Sequence, residues 1–354
     1  MAGGPLPGGG LATEAKVAFL QRPDSYPEAP AAVETVETHT SWLFLAGQHV
    51  YKLKKPLRYD FLDFSTLAAR RRNCHNEVRL NRRLTHGVYL AALPLTDTGR
   101  LAIAGAGRPV DWLVKMRRLP GHRDLETQLK AGSVGQQEIV AVARVLAEFY
   151  RRAPAADLAA AAYLERIRAD LAAHRRELSA PERGLDAGQV HAVADALAAF
   201  LERNSDLFAS RVAAGRVIEA HGDLRPEHVY LVHPPAIIDC LEFNRELRIL
   251  DAADELAFLG MECERLDAPY IAGIVFDVYQ EMTGDRPPAG LIHFYMGYRA
   301  LLWATLAIRH TARHGSGERG KWVARTETYM RLARMHIDRS GGQSSISSST
   351  ESPR

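Results

Sequence analysis

The stretch His221-Gly222-Asp223-Leu224-Arg225-Pro226-Glu227-His228-Val229-Tyr230-Leu231, followed by Ile237-Ile238-Asp239, decides how this sequence is read. Its polar centre lies between two apolar runs, VIEA and VYLV, and a third apolar run ends on Asp239. Short apolar runs bounded by polar turns read as strands. A strand-loop-strand arrangement therefore presents Asp223, His228 and Asp239 at neighbouring loop and strand ends. Phosphoryl transfer needs such a set: a carboxylate that accepts the nucleophile's proton, and further ligands that hold Mg²⁺ on the phosphates. Mg²⁺ prefers oxygen, so Asp239 is a natural holder and His228 an unusual one.

The rest of the chain sets the bounds. At about 100–200 residues per domain, 354 residues make two domains or one two-lobed unit. A composition of 47% apolar and 25% charged residues excludes a wholly disordered or collagen-like chain. The three cysteines, Cys74, Cys240 and Cys263, are odd in number and lack CxxC spacing. That argues against a disulfide framework and a cysteine zinc site and fits a reducing cytoplasm. The opening MAGGPLPGGG has neither part of a signal peptide, and no apolar run approaches the length of a membrane span. A net charge of +3 demands no nucleic-acid partner. The expectation is a cytoplasmic protein without membrane or nucleic-acid attachment.

Residues 1–10 and 339–354 are Gly/Pro- and Ser/Gly-rich and read as disordered tails. From Val33 to Lys55 the chain reads as strands (VETVETHT, SWLFLAG, HVYKLKK) with a hairpin break at Ala46-Gly47-Gln48. Ser65 is the expected N-cap of a helix to about Leu84, and Pro109–Met116 a further strand. Beyond Gly121 most long segments have helical periodicity. Capping boxes are expected at Ser133/Gln136 and Asp186/Gln189, a cap at Asp251, and a helix from Pro269 to Gly284. The fold class is thus α+β: a small sheet-rich lobe over 11–116 and a larger, mostly helical lobe over 117–338.

HGDLxxxH, with IID ending sixteen residues after Asp223, resembles the catalytic loop and metal-binding Asp of the aminoglycoside phosphotransferase-like kinases, small-molecule relatives of the protein kinases. The segments SWLFLAGQHVYKLKKPLRYDFLDFSTL, RRRNCHNEVRLNRRL, DWLVKMRRLPG and IIDCLEFNRELRILDAADELAFL resemble a mostly uncharacterised bacterial subgroup of that family. The resemblance implies a two-lobed, protein-kinase-like fold with ATP and Mg²⁺ in its cleft. It implies Asp223 as catalytic base, His221 as scaffold of the catalytic loop and Asp239 as Mg²⁺ ligand. His228 stands where the family has Asn, and a neutral imidazole nitrogen can replace that amide oxygen.

The remaining kinase parts can be sought residue by residue. Period-2 alternation in His49-Val50-Tyr51-Lys52-Leu53-Lys54 puts Lys52 and Lys54 on one face. Lys52 is the expected phosphate-binding lysine, with Lys54 the fallback. The helix after Ser65 aligns Asn73, Glu77, Leu80 and Leu84. An acid on such a stripe needs a partner, so Glu77 is the expected ion-pair partner of Lys52. No GxGxxG is present; the turn with Thr40 and Ser41 is the expected phosphate cover, and Met116 leads into the adenine-binding hinge. Glu242 and Asn244, just beyond Asp239, are read as supporting residues or substrate contacts, with a turn role equally open.

A near P-loop at Gly315–Trp322 lacks the metal-binding hydroxyl and reads as a helix-to-helix turn. The expected activity is transfer of the ATP γ-phosphate to a hydroxyl of a small polar acceptor. The same residues also admit a nucleotide-binding pseudokinase or, on two His and two Asp, a metal-dependent phosphohydrolase. Neither the acceptor nor the oligomeric state is legible.

Overall fold

Residues 33–117 form a six-stranded antiparallel sheet, in a computed structural model that describes residues 11–59, 61–311 and 316–341. In chain order the strands are β1 (Val33–Glu37), β2 (Ser41–Ala46), β3 (His49–Lys54), β4 (Arg58–Tyr59), β5 (Leu62–Asp63), β6 (Tyr89–Asp97), β7 (Leu101–Ile103), β8 (Arg108–Arg117), β9 (Val217–Glu219), β10 (Val229–Tyr230), β11 (Ala236–Ile237) and β12 (Ile249–Asp251). The helices are α1 (Thr13–Leu20), α2 (Leu67–Asn81), α3 (Leu125–Lys130), α4 (Gln136–Arg152), α5 (Ala160–Leu178), α6 (Ala187–Arg203), α7 (Ser205–Ala213), α8 (Ala252–Arg265), α9 (Tyr270–Thr283), α10 (Ala289–Thr311) and α11 (Ser316–Gly341). The large sheet runs β1-β2-β3-β8-β6-β7.

The chain divides into two compact units, residues 1–152 with 219–249, and 153–218 with 250–354. In the first, both faces of the sheet are covered. Tyr51 and Leu53 of β3 and Leu113 of β8 pack with Leu20, Tyr26 and Phe44 on one side. On the other, Val114 packs with Cys74 and Val78 of α2 and with Tyr89 and Ala236. Alternation along β3 and β8 sends adjacent residues to opposite faces, which is why one apolar run feeds two cores. Asp111 of β8 ties α1 and α2 to the sheet: it accepts from Lys16 Nζ and from Arg70 Nε, each at 2.7 Å.

Several boundaries depart from expectation. The cap of α2 is Thr66, whose hydroxyl accepts from the Ala69 N–H at 3.1 Å. Ser65 is instead held by Asp63, which accepts both its N–H and its hydroxyl. Ser133 does not cap α4; its hydroxyl bonds Gln128, and Glu138 caps back onto the Gly135 N–H. The Asp186 and Asp251 caps form as expected, but the Asp186/Gln189 box is not reciprocal: the Gln189 amide donates to the Asp186 carboxylate and not the Asp186 N–H to Gln189. So does α9, which ends at Gly284 with φ +69°.

β6 has no counterpart among the strands expected from sequence, and Pro94 falls inside it. The strand accommodates the proline with register shifts at Tyr89/Ala91 and Leu95/Thr96. Arg339, Ser340 and Gly341, expected in the tail, close α11. Residues 1–10 and 342–354, the remaining tails, lie outside the described residues, as does Gly315 of the near P-loop. The rest of that motif is the start of α11 rather than a turn.

The second unit is helical. α10 is long and apolar enough to cross a membrane by length and composition, yet 72% of that window is buried inside the protein. It packs against α5, α6, α8 and α11. Buried Asp251 receives a fork from Arg211 at 2.8 and 2.7 Å, and Asp254 one from Arg299 at 2.7 and 2.6 Å.

Candidate active site

β10 and β11 form a short antiparallel hairpin, with Val229 opposite Ile237 and Tyr230 opposite Ala236. The pairing continues outward in the bond from the Ile238 N–H to the His228 carbonyl, at 2.9 Å. The residue before the first strand and the one just past the second thus meet at the same end. His228 Nε2 lies 3.7 Å from Asp239 Oδ2.

The loop before β10 is built around Gly222. Its φ is +91°, and a Cβ there would sit 3.1 Å from Arg248 Cγ and from Leu241 Cδ1. Only glycine adopts this turn without strain in so little room. Fully buried His221 holds the loop to the neighbouring segment. Its Nε2 donates to the Ile238 carbonyl at 2.8 Å, and the Asp223 N–H donates to its Nδ1 at 3.3 Å. Both nitrogens are satisfied in the neutral ring. Burial, with His228 nearby, pushes its pKa down to about 4.

The Asp223 carboxylate is held by Arg225, with Nε 2.9 Å from Oδ1 and Nη2 donating to Oδ2 at 3.1 Å; Arg225 also binds Glu227. His228 Nδ1 lies 2.8 Å from the Asp223 carbonyl. A carbonyl only accepts, so that nitrogen carries the proton. In the neutral ring Nε2 then faces the Asp239 carboxylate with its lone pair.

Asp239 is reached from β3. Lys52 Nζ donates to Glu77 Oε1 and to Asp239 Oδ1, at 2.9 Å each. Burial works against the ammonium, but Asp239, Glu77 and Glu242 outweigh it and hold Lys52 charged, well above an ordinary lysine. Burial likewise pushes Asp239 up, and the Lys52 ammonium overcomes it, leaving the carboxyl well below the usual range. Its side chain keeps 45% of its surface open, beside a Glu77 side chain with none.

Lys54 is no substitute for Lys52. Fully buried, it donates to Glu77 Oε2 at 2.5 Å and to Glu242. Two ammoniums therefore meet three carboxylates. Burial, with Glu77 alongside, pushes Glu242 up against the pull of Lys54.

Asp239 has φ +62°, a left-handed conformation uncommon outside glycine and found at functional sites. Its N–H donates to the Tyr89 hydroxyl at 3.1 Å, and the next amide, of Cys240, donates to Asn81 Oδ1 at 2.9 Å. Asn81 in turn donates to the Glu77 carbonyl at 2.9 Å.

The sequence reading missed this support. Asn81 continues the polar series Asn73, Glu77 at four-residue spacing, a signal that was available. Tyr89 lies in β6, outside the strands expected from sequence.

The expected phosphate cover is less open than its sequence suggests. The Ser41 N–H donates to Thr38 Oγ1 at 3.0 Å, and the Ser41 side chain is fully buried. Ser41 thus presents no group outward, whereas Thr40 is half-buried. Met116 is half-buried at the end of β8 and packs with Leu119, Tyr230 and Ile238 around the Val114–Tyr89 cluster. Past it, the Arg117 N–H donates to the Val88 carbonyl and the Arg118 N–H to the Gln48 carbonyl, both at 2.8 Å.

The residues at Asp239 fit a magnesium ion. An open carboxylate and an imidazole lone pair face each other 3.7 Å apart, an arrangement that a shared cation relieves. Mg²⁺ typically takes one or two protein ligands and completes its shell with water and phosphate. Among the described residues no group of three or more His, Cys, Asp or Glu is gathered as a metal set.

No protein-family model matches the chain. Over 278 residues, 77% of its length, it is 34% identical to uncharacterised proteins of Mycobacterium tuberculosis and Mycobacterium bovis, and it spans about half, 54%, of their length. A choline kinase of Cryptosporidium parvum is similar in structure at a TM-score of 0.54, with 12% identity over 92% of this chain and 97% of that one. A choline/ethanolamine kinase family protein of Mesorhizobium loti follows at 0.51, with 15% identity over 92% and 98%. A variant of aminoglycoside 2′-phosphotransferase-IIIa in complex with GDP also reaches 0.51, with 16% identity over 91% and 96%. These identities carry the fold and leave the substrate open. The chain has the protein-kinase-like fold shared by the aminoglycoside phosphotransferases and the choline and ethanolamine kinases.

Proposed function

We propose that this protein is an ATP-dependent phosphotransferase that moves the γ-phosphate to a hydroxyl of a small polar acceptor in the cytoplasm. The observation that carries the reading is Lys52, held at 2.9 Å from both Glu77 and Asp239, residues that lie 25 and 187 positions away. A charged lysine braced by a buried glutamate beside an open carboxylate suits a polyphosphate with its cation. That a neighbour of the same fold binds GDP supports nucleotide use.

In this reading residues 11–116 serve the nucleotide. Lys52 binds its phosphates, Thr40 lies at the phosphate-covering turn, and Met116 with Leu119, Tyr230 and Ile238 offers an apolar floor to the base. Residues 117–338 carry the catalytic loop and acceptor selection. Asp239 and His228 would hold Mg²⁺, which supplies charge neutralisation on the phosphates when bound.

Asp223 orients the acceptor hydroxyl and takes its proton. Both of its oxygens face Arg225, so the incoming hydroxyl must share or displace that fork. Neutral His221 keeps the loop in place and moves no proton. Most of the rate gain comes from positioning and electrostatics.

The test is Asp223→Ala with ATP, Mg²⁺ and a metabolite library. Turnover should fall about 100- to 10,000-fold, the range of a lost general base, while affinity for a non-hydrolysable ATP analogue stays within threefold. Turnover within a few-fold of wild type refutes Asp223 as base. Nucleotide binding with no phosphorylated product from any acceptor favours the pseudokinase.

A further inference from the structure

The charge network around Lys52 contains a second lysine for which nucleotide binding has no evident use. Lys54 is buried beyond reach of a ligand, with no side-chain surface exposed. Glu77 gives one carboxylate oxygen to Lys52 and the other to Lys54. Lys54 passes from Glu77 to Glu242, three residues beyond Asp239, and its ammonium lies 4.7 Å from the centre of the Phe64 ring.

Between Asp239 and Glu242 the backbone is tied at successive amides. Asp239 bonds Tyr89, Cys240 bonds Asn81, and the Leu241 N–H donates to the His221 carbonyl at 3.1 Å. The segment thus begins on a residue in an uncommon backbone conformation and ends on a side chain anchored to β3.

We propose that Lys54 and Glu242 are a positioning pair, which fixes the 239–242 segment to β3 and Glu77 so that the Asp239 carboxylate is set for a phosphate-bound divalent cation. This rests on the reading of Asp239 as a Mg²⁺ ligand and adds what aims it. Lys54 acts at both ends: it holds the second oxygen of Glu77, fixing the carboxylate that braces Lys52, and it holds Glu242. Without it Glu77 is free to turn both oxygens to Lys52 and draw that lysine from Asp239, while Glu242 is left buried without its cation. The pair is therefore expected to govern the gain in nucleotide affinity that Mg²⁺ confers, more than nucleotide affinity itself.

The experiment measures binding of a non-hydrolysable ATP analogue to the full chain by calorimetry, once with Mg²⁺ and once with chelator. Lys54→Met is expected to weaken binding at least tenfold with Mg²⁺ and less than threefold with chelator. Lys54→Arg should restore the Mg²⁺ value to within threefold of wild type. Glu242→Gln keeps an acceptor for Lys54 and should also stay within threefold.

If Lys54→Met does not fold, by circular dichroism, Glu242→Asp carries the test. It keeps the charge but shortens the reach, and at least a fivefold loss of the Mg²⁺ gain is expected. A folded Lys54→Met or Glu242→Asp with the wild-type Mg²⁺ gain overturns the proposal, as does equal weakening with and without Mg²⁺. A wild-type protein that binds no analogue refutes the nucleotide reading itself, and the positioning role with it.

Discussion

Glu77 is the residue on which the site's electrostatics turn, since both lysines of β3 share its carboxylate and no water reaches it. Removing one partner of a buried ion pair typically costs about 3–5 kcal/mol, because the others keep their burial and lose their counter-charge. Glu77→Ala is therefore expected to lower stability in urea by about that amount and to weaken ATP-analogue binding at least tenfold. His221 supplies a pH signature. In the unfolded chain a histidine titrates near about 6.5, and burial lowers it to about 4 in the fold. As pH falls through that window the unfolded state takes the proton first, so stability drops, by about 3 kcal/mol for this one group. Unfolding free energies between pH 7 and 4 should show that slope, flatter in His221→Asn. At this scale the motif made Asp223, His228 and Asp239 legible, and alternation with helical spacing made the Lys52–Glu77 pair legible. For Glu242 the sequence leaves support, substrate contact and turn equally open, because nothing local to it announces a lysine almost two hundred positions away.

At the scale of elements, α2 carries most of the site's support, with Glu77 and Asn81 one turn apart on its buried face. Its start depends on Thr66, and Thr66→Ala should cost about 1 kcal/mol in chemical denaturation, the usual worth of an N-cap hydroxyl. Ser65→Ala removes no cap and should cost less. A serine and a threonine side by side look equivalent as caps in sequence; Asp63 decides between them by drawing Ser65 back. Gly222 is the second sensitive point. Gly222→Ala places a methyl group 3.1 Å from two side chains at φ +91°, and should depress turnover far more than it depresses melting temperature. The sheet was only partly legible. β1, β2, β3 and β8 follow from β-branched and aromatic runs, whereas β6 is a strand by virtue of its neighbours, with two register shifts that no propensity encodes.

Across the whole molecule, the fold class follows from one change of pattern, from strand-rich sequence to helical periodicity. The motif then named the kind of fold, as the similarity to choline kinases and aminoglycoside phosphotransferases bears out. The packing units were less visible, because the first is discontinuous in sequence: residues 219–249 return to it after an excursion of more than sixty residues. A polypeptide stopped at residue 218 has the sheet and α2, but Lys52 and Lys54 then share Glu77 alone, without Asp239 or Glu242. Such a fragment should remain largely unfolded by amide hydrogen exchange, since it also lacks Ala236, Tyr230 and Ile238 from one face of the sheet core. On the ribosome, then, the first half of this protein emerges early and must wait. Its two lysines stay short of counter-charge until residues 239–242 clear the exit tunnel, and any pause in translation before that point is expected to prolong exposure to proteases and holdase chaperones.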